Sequence, residues 1–463
     1  MLLGQAAPAS YQVLIQRGLA ALEAGQLEAA EAAFQQARDL QPQKAAANYQ
    51  LGEVYSRRGQ TELAITHFRR AIQLEPSEPE SYLRLATLEL QLRRFHDAEQ
   101  TLHALLRRRA KYPVAYFMLG RVAAETDDYA LAEKQLREYV RLRPGDAKGL
   151  GELGMVLLRA EKTQEGEALS KRALAIDPNL GLVHYNLGLS YELRGDHSRS
   201  KSHLIAAVRL LPTNADAHYQ LGIVLLRLGQ LEDAETTLRK ALELSPDHLE
   251  ALYALGSVLR QMGRSQEASE VLAEHERRSA ASLEQRQRDR RVSAYHMEVR
   301  RLLEENSVGD AEEKLAEILR LDPQNDLAYY RQGQIAFLRH DYVKALELAG
   351  QATALKGFEP AYHQLQGMSL ERLGRDQEAA AAYRHVLDLA DYSEAHVALA
   401  GIATRKGEAR QAVAHLERAV ALEPKDPDVR LALADALARA GDQAGSRRQR
   451  ALAESLRGAA PPR

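Results

Sequence analysis

The sequence predicts an all-α solenoid of about twelve helical hairpins closed by a C-terminal capping hairpin. Three observations carry that prediction. Small residues and prolines recur in register along most of the chain, at the step that separates Gly18 from Gly52. Between these marks apolar residues follow three- and four-residue spacing, the period of an amphipathic helix. The composition is that of helix–helix packing, rich in Ala and Leu, with 5% aromatics and no Trp.

The recurrence is anchored on Gly52, Ala64, Ala71 and Pro76, at offsets of 12, 19 and 24 from the glycine. The set returns as Gly18, Ala30, Ala37 and Pro42, and as Gly222, Ala234, Ala241 and Pro246. Partial sets recur in register from Gly120 to Gly367. Two amphipathic helices and their turns need about this length. The small residue at position 8 of each unit lets the second helix approach the first, and Ala at positions 20 and 27 does so for neighbouring packing. Pro at position 32 stops the second helix. A glycine near position 15 (Gly25, Gly59, Gly195, Gly229, Gly263, Gly374) closes the turn inside the hairpin. Leu221, Leu225 and Leu228, then Leu231, Ala234, Leu238 and Ala241, give the apolar stripes.

These marks, repeated in register, resemble the tetratricopeptide repeat (TPR) family. The resemblance implies a right-handed superhelix with the first helices lining a concave groove. Units fall at 11–282 (eight units) and 292–426 (four units), separated by a charged insertion at 283–291. Residues 1–10 form an N-terminal segment, and 427–463 a degenerate capping hairpin and tail with exposed Arg447, Arg448 and Arg450. The last full unit is one residue short, expected in its turn around Lys406–Arg410. The residues outside the units are too few for a further globular core.

Length and charge set further bounds. The chain has 463 residues, 62 Lys and Arg against 64 Asp and Glu, so no global field favours nucleic acid or an anionic membrane. It has no Cys, which removes disulfides, thiol catalysis and thiolate metal sites. No apolar run reaches the length of a membrane span. The opening MLLGQAAPAS lacks a charged n-region and a full apolar core, so a cytoplasmic location is expected. Its small-residue ending resembles the tail of a signal peptide, and the alternative is a periplasmic or secreted protein with a start further upstream.

Catalytic motifs fail on context. Gly149, Gly151 and Gly154 spell G-x-G-x-x-G, but a dinucleotide site needs that string between a strand and a helix. Here it falls inside a first helix, where its glycines suggest a soft, curved segment. The 15 His are scattered, and His184 and His218 at position 4 read as packing groups. No nucleophile elbow or phosphate loop occurs, so no enzyme activity, cofactor or metal is expected.

The chain from Arg264 to Val308 contains neither Gly nor Pro before Gly309, so helix is expected to be nearly continuous through the insertion. Ser282 with Gln285 reads as a capping box at which the ninth unit's first helix begins. Arg277–Arg301 holds eight Arg against three acids, either a solvated helix end, or a basic docking patch or hinge between the eight-unit and four-unit arms.

The resemblance makes positions 2, 5, 6, 9 and 12 the candidate groove. Position 5 carries Tyr49, Phe117, Tyr185, Tyr219, Tyr253 and Tyr330, large contacts with small entropy loss. Position 6 carries Gln50, Arg84, Asn186, Gln220 and Arg331, and Arg121 joins them from position 9. Arg84, Arg121 and Lys148 against Glu53 and Glu80 give a groove of mixed sign. The Lys and Asn pattern by which family members hold a chaperone's acidic C-terminus is absent. The expected function is a non-catalytic interaction scaffold for a peptide or helix of another protein, centred on Tyr185–Tyr253. The alternatives are a structural assembly subunit acting through the solenoid edges, or an accessory subunit of a separate enzyme or cell-envelope system.

Overall fold

The computed structural model describes residues 10–389 and 391–458, all helices and short turns with no strand among them. Successive hairpins are α1 (Tyr11–Glu23) with α2 (Leu27–Leu40), α3 (Ala45–Arg57) with α4 (Thr61–Leu74), and α5 (Pro79–Gln91) with α6 (Phe95–Arg108). They continue as α7 (Pro113–Glu125) with α8 (Tyr129–Leu142), α9 (Ala147–Arg159) with α10 (Thr163–Ile176), and α11 (Gly181–Leu193) with α12 (His197–Leu210). Next come α13 (Ala215–Arg227) with α14 (Leu231–Leu244), α15 (Leu249–Gln261), the long α16 (Ser265–Glu304) and α17 (Val308–Leu321). The rest are α18 (Asp326–Leu338) with α19 (Tyr342–Leu355), α20 (Pro360–Arg372) with α21 (Asp376–Leu389), α22 (Ser393–Arg405) with α23 (Ala409–Leu422), and α24 (Pro427–Arg439) with α25 (Gln443–Gly458). The chain falls into two compact units, Met1–Val54 with His67–Arg286, and Tyr55–Thr66 with Gln287–Arg463, which divide within α16 and also within α3 and α4. Each is an α-solenoid.

One turn chemistry builds the hairpins. Three residues separate the first helix from the second, and the middle one is left-handed. Gly25, Gly59, Gly195, Gly229, Gly263 and Gly374 all take positive φ there, as do Gly407 and Gly441. Arg93, Asp127, Glu161, Asn306 and His340 take the same conformation at φ of 56–65° in the other hairpins, although each has a Cβ. The following amide closes the turn on the carbonyl five residues back, as in Gln230 N–H to Leu225 O at 2.9 Å. That is the Schellman pattern, and it fixes the direction of the second helix.

The helices then pack by matched volumes across each hairpin. Gly18 and Gly52 face the rings of Phe34 and Phe68, Gly367 faces Tyr383, and Gly222 faces Leu238. A Cβ on Gly222 would lie 2.6 Å from Leu238 Cγ, so the glycine is required by the approach rather than by its backbone angle. The core is a string of local clusters, one of which gathers Leu204, Leu221, Val224, Leu238, Leu255 and Val258.

Three local expectations change. Helix α16 runs 40 residues from Ser265 to Glu304, about 60 Å at 1.5 Å per residue. No helix begins at Ser282, whose carbonyl accepts from Arg286 Nε at 3.3 Å, so the expected capping box is not formed. With no Gly or Pro to terminate it, the helix absorbs the inter-hairpin turn together with the insertion. The missing residue also lies elsewhere: first helices begin at Pro360, Ser393 and Pro427, so the shortened step precedes α22. The turn around Lys406 keeps its full length, and the deletion falls where Asp391 replaces the usual proline. Finally, the glycines of the G-x-G-x-x-G string are packing positions rather than points of softness. A Cβ on Gly149 would meet Tyr139 Cε1 at 2.1 Å, one on Gly151 would meet Val183 Cγ2 at 2.6 Å, and one on Gly154 the Gly166 carbonyl oxygen at 3.0 Å.

Candidate functional site

Within the first unit, α7, α9, α11, α13 and α15 touch one another in succession, in addition to their own hairpin partners. Stacked elements approach most closely on the inner side of a curve, so the first-helix face is the inner one. Its position-5 side chains stand over the seams. Tyr49 meets Phe68 edge-on at 5.6 Å between centroids, and Phe117 lies 5.1 Å from Tyr139. Tyr219 packs at 4.7 Å from His248, and Tyr253 at 5.5 Å from His275. Tyr185 and Tyr219 also pack partly against the core cluster, whereas Tyr253 is 55% exposed. Burial holds the Tyr185 and Tyr219 hydroxyls above the usual tyrosine range, so both are neutral. None of the hydroxyls of Tyr185, Tyr219 and Tyr253 makes a hydrogen bond among the described residues.

The polar members differ in availability. Asn186 donates one N–H of Nδ2 to the Leu182 carbonyl at 2.8 Å, one turn back, which leaves its second N–H and its carbonyl oxygen without a partner among the described residues. Gln50 and Gln220 are half-buried and make no side-chain hydrogen bond among the described residues. Arg84 is committed to Glu53, with Nε 2.9 Å from Oε1, and lies beside the Tyr49 hydroxyl. Arg121 is exposed and close enough to favour the ionised form of Glu152, whose carboxyl is nonetheless raised, chiefly by burial. At the fifth position-5 site Gly151 offers no side chain, and Val183 fills the place a Cβ would take.

Tyr330 and Arg331 belong to the second unit. Tyr330 lies 4.8 Å from Tyr362, and its hydroxyl accepts from Gln334 Nε2 at 2.9 Å. Arg331 Nη1 donates to Gln334 Oε1 at 3.3 Å.

Position 4 does more than pack. The Tyr82 hydroxyl donates to the Pro76 carbonyl at 3.2 Å, and Tyr329 does the same to Pro323 at 3.2 Å. His184 and His218 reach Pro178 and Pro212 through Nε2 at 3.3 and 3.2 Å. Each bond spans the turn from one hairpin to the next. The carbonyl fixes the His184 proton on Nε2, so Nδ1 accepts from His203 Nδ1 at 3.0 Å. An equal dyad joins His396 to His415 at 3.0 Å, with His396 Nε2 on Asp391 Oδ1 at 3.0 Å. The spacing of 19 residues between partners is the sequence signal that was available for both dyads. Among the described residues no three His, Asp or Glu side chains converge as a metal-ligating group, and no helix is long and apolar enough to cross a membrane.

Tetratricopeptide repeat models match residues 11–44, 237–268, 296–360 and 403–448. The model of the cilia and flagella-associated protein 70 C-terminal domain matches 44–251. Human protein O-mannosyl-transferase TMTC3 is 24% identical over 190 residues, 40% of this chain and 21% of that protein. Anaphase-promoting complex subunit 3 of Schizosaccharomyces pombe is 23% identical over 43% of this chain and 30% of its own length. BBSome complex member bbs-4 of Caenorhabditis elegans is 25% identical over 39% and 41%. The chain therefore spans between about a fifth and two fifths of the curated relatives it matches. A solved tetratricopeptide repeat protein from Parabacteroides merdae aligns at a TM-score of 0.47 and 16% identity, over 54% of this chain and 98% of that one. Repeat models that match segments of both units, on a chain built of hairpins of near-constant step, establish that the protein belongs to the tetratricopeptide repeat family.

Proposed function

We propose that the chain is a non-catalytic interaction scaffold that captures an extended peptide or a helix of another protein along the first-helix face from Tyr185 to Tyr253. The observation that carries this reading is the run of three successive tyrosines whose hydroxyls have no partner among the described residues. Each presents a ring for apolar contact and a hydroxyl for a ligand backbone, with the side-chain amides of Gln220 and Asn186 beside them. Tyr49, Gln50, Arg84, Phe117 and Arg121 extend the same face toward the N-terminal hairpins, where the Arg84–Glu53 pair makes it polar and mixed in sign. We assign the recognition array to units at 11–282 and 292–426, with 283–291 as the helical spacer and 427–463 as the cap.

A second reading draws on the relatives. Two are named as members of multi-protein complexes, which favours a structural subunit that holds an assembly through its edges. Co-purification from cells expressing the full chain separates the readings. The groove reading expects proteins held by the wild type and lost with Tyr185→Ala, Tyr219→Ala and Tyr253→Ala together. An unchanged set would overturn it in favour of the edges.

A further inference from the structure

The side chain at position 11 of a first helix meets the one at position 23 of its own second helix. In the α5–α6 hairpin Glu89 accepts from the Thr101 hydroxyl at 2.8 Å, and in α11–α12 the Tyr191 ring stacks on His203 at 5.6 Å between centroids. Helices α9, α13 and α15 place Leu157, Leu225 and Leu259 at position 11, all buried. In α7–α8 the two positions hold Ala123 and Gln135, and the alanine is too short to reach the amide.

Volume and a hydrogen bond are therefore missing at one place. A cavity of about 320 Å³ opens on the second-helix side of the seam, with α6 and α8 as its walls and α7 as its floor. Gln135 lines it, is only 7% exposed, and makes no side-chain hydrogen bond among the described residues. A primary amide buried to that degree costs free energy unless something bonds it. The body of the cavity is apolar, with Phe95 on one wall, Leu131 on the other and Ala123 beneath. Its rim on α6 carries His96, Glu99 and His103. His96 is engaged with Gln100 Nε2 at 2.8 Å. Glu99 Oε1 lies 3.6 Å from His103 Nε2, beyond hydrogen-bond distance, and no Lys or Arg stands at ion-pair distance from it among the described residues.

We propose that this cavity binds a small single-ring organic amine, with the ring between Phe95 and Leu131, a hydroxyl on the ring bonded to the Gln135 amide, and the ammonium at the Glu99 carboxylate. The volume sits at the low end of small-molecule sites, roughly 300–1,000 Å³, which limits the ligand to one ring and a short arm. The rim carboxylate selects a cation and disfavours an anion. The site lies on the second-helix side, away from the tyrosine run, and stands or falls independently of it.

The test uses the full chain and tyramine, which carries all three groups, followed by isothermal titration calorimetry. Phenethylamine lacks the hydroxyl and is expected to bind about tenfold more weakly, the loss of one hydrogen bond. The propionate analogue of tyramine, with a carboxylate in place of the ammonium, is expected not to bind. Ala123→Leu is the informative variant, because it restores the residue type of Leu157, Leu225 and Leu259 and fills the cavity. It is expected to abolish tyramine binding while the melting temperature holds or rises. Gln135→Leu is expected to lower tyramine to the affinity of phenethylamine and to leave phenethylamine itself unchanged. Wild-type affinity in Ala123→Leu would overturn the site, as would equal binding of the propionate or no tyramine binding at millimolar concentration. A lysine-containing peptide that binds more tightly than tyramine would overturn the free amine as ligand and assign the cavity to a partner's side chain.

Discussion

Replacing Gly154 by Ala separates two opposing effects in one hairpin. On helix propensity alone the change stabilises α9 by up to about 1 kcal/mol. The packing opposes it. A methyl group there would lie 2.5 Å from Ser170 Oγ and 3.0 Å from both the Gly166 carbonyl oxygen and the Ser170 nitrogen. The hydroxyl can rotate aside, but the two backbone atoms move only if α10 moves. Overpacking of this kind costs about 1–3 kcal/mol, so a net loss of up to about 2 kcal/mol is expected. Gly166→Ala meets the same barrier from the other side, with the Gly154 carbonyl oxygen and the Leu158 nitrogen each 2.9 Å away. One separation of the helices relieves both clashes, so the double variant should cost less than the sum of the singles. Hydrogen exchange in α9 and α10, with urea unfolding followed by circular dichroism, reads the effect hairpin by hairpin. Slower exchange in either single variant would show that propensity dominates and that the close approach is not limiting.

Other perturbations test the turns, the dyads and the inter-hairpin bonds. Glu161 holds φ at 61°, so Glu161→Gly should raise the urea midpoint by the equivalent of about 1 kcal/mol, whereas Gly229→Ala should lower it by about 1–2 kcal/mol although nothing lies within 4 Å of the added methyl. Burial depresses the His184, His203 and His415 imidazoles below their ordinary range and pushes His67 down to about 3. In the unfolded chain these groups take up protons near pH 6.5, before the folded chain does, so stability should fall as pH drops below that value. Melting temperatures between pH 7.5 and 5 check the sign, and a flat or rising profile would contradict it. Tyr82→Phe deletes the hydroxyl bond to Pro76 and should cost about 0.5–1.5 kcal/mol, read as faster exchange at the α4–α5 turn.

The fold was legible because its marks are local. Gly52, Ala64, Ala71 and Pro76 each impose a backbone or packing constraint that survives in any context, and their regular return is visible without knowing where side chains point. The uninterrupted α16 was legible in part, since the absence of Gly and Pro implied helix, but Ser282 looked like a start signal. A capping residue acts only where the chain has reason to leave the helix, and nothing there supplies one. The Asp391 turn misled for a related reason: a deletion can be placed in either turn when the only fixed marks are a glycine on one side and an absent proline on the other.

The candidate site was less legible. Position 5 gave the aromatic ladder, yet its hydroxyls could be free or engaged, and Tyr330 turned out to be tied to Gln334 while Tyr219 is not. Asn186 looked equivalent to Gln220, but the shorter side chain folds back onto Leu182. The pairing of position 9 with position 6 depends on how one hairpin stacks on the next, which the sequence interval from Glu53 to Arg84 encodes but does not announce. The histidine dyads were hidden in the same way, because each half lies on a different helix and only the fold brings the two Nδ1 atoms within 3.0 Å.

Ligand capture on the first-helix face of the middle hairpins is read by position-specific photo-crosslinking. Tyr219→p-benzoylphenylalanine places the probe in that face, and Thr236→p-benzoylphenylalanine places it on the exposed side of α14. A discrete crosslinked partner is expected from the Tyr219 position and none from Thr236. Crosslinking at Thr236 with none at Tyr219 would contradict it and move the interaction to the outer edge of the solenoid.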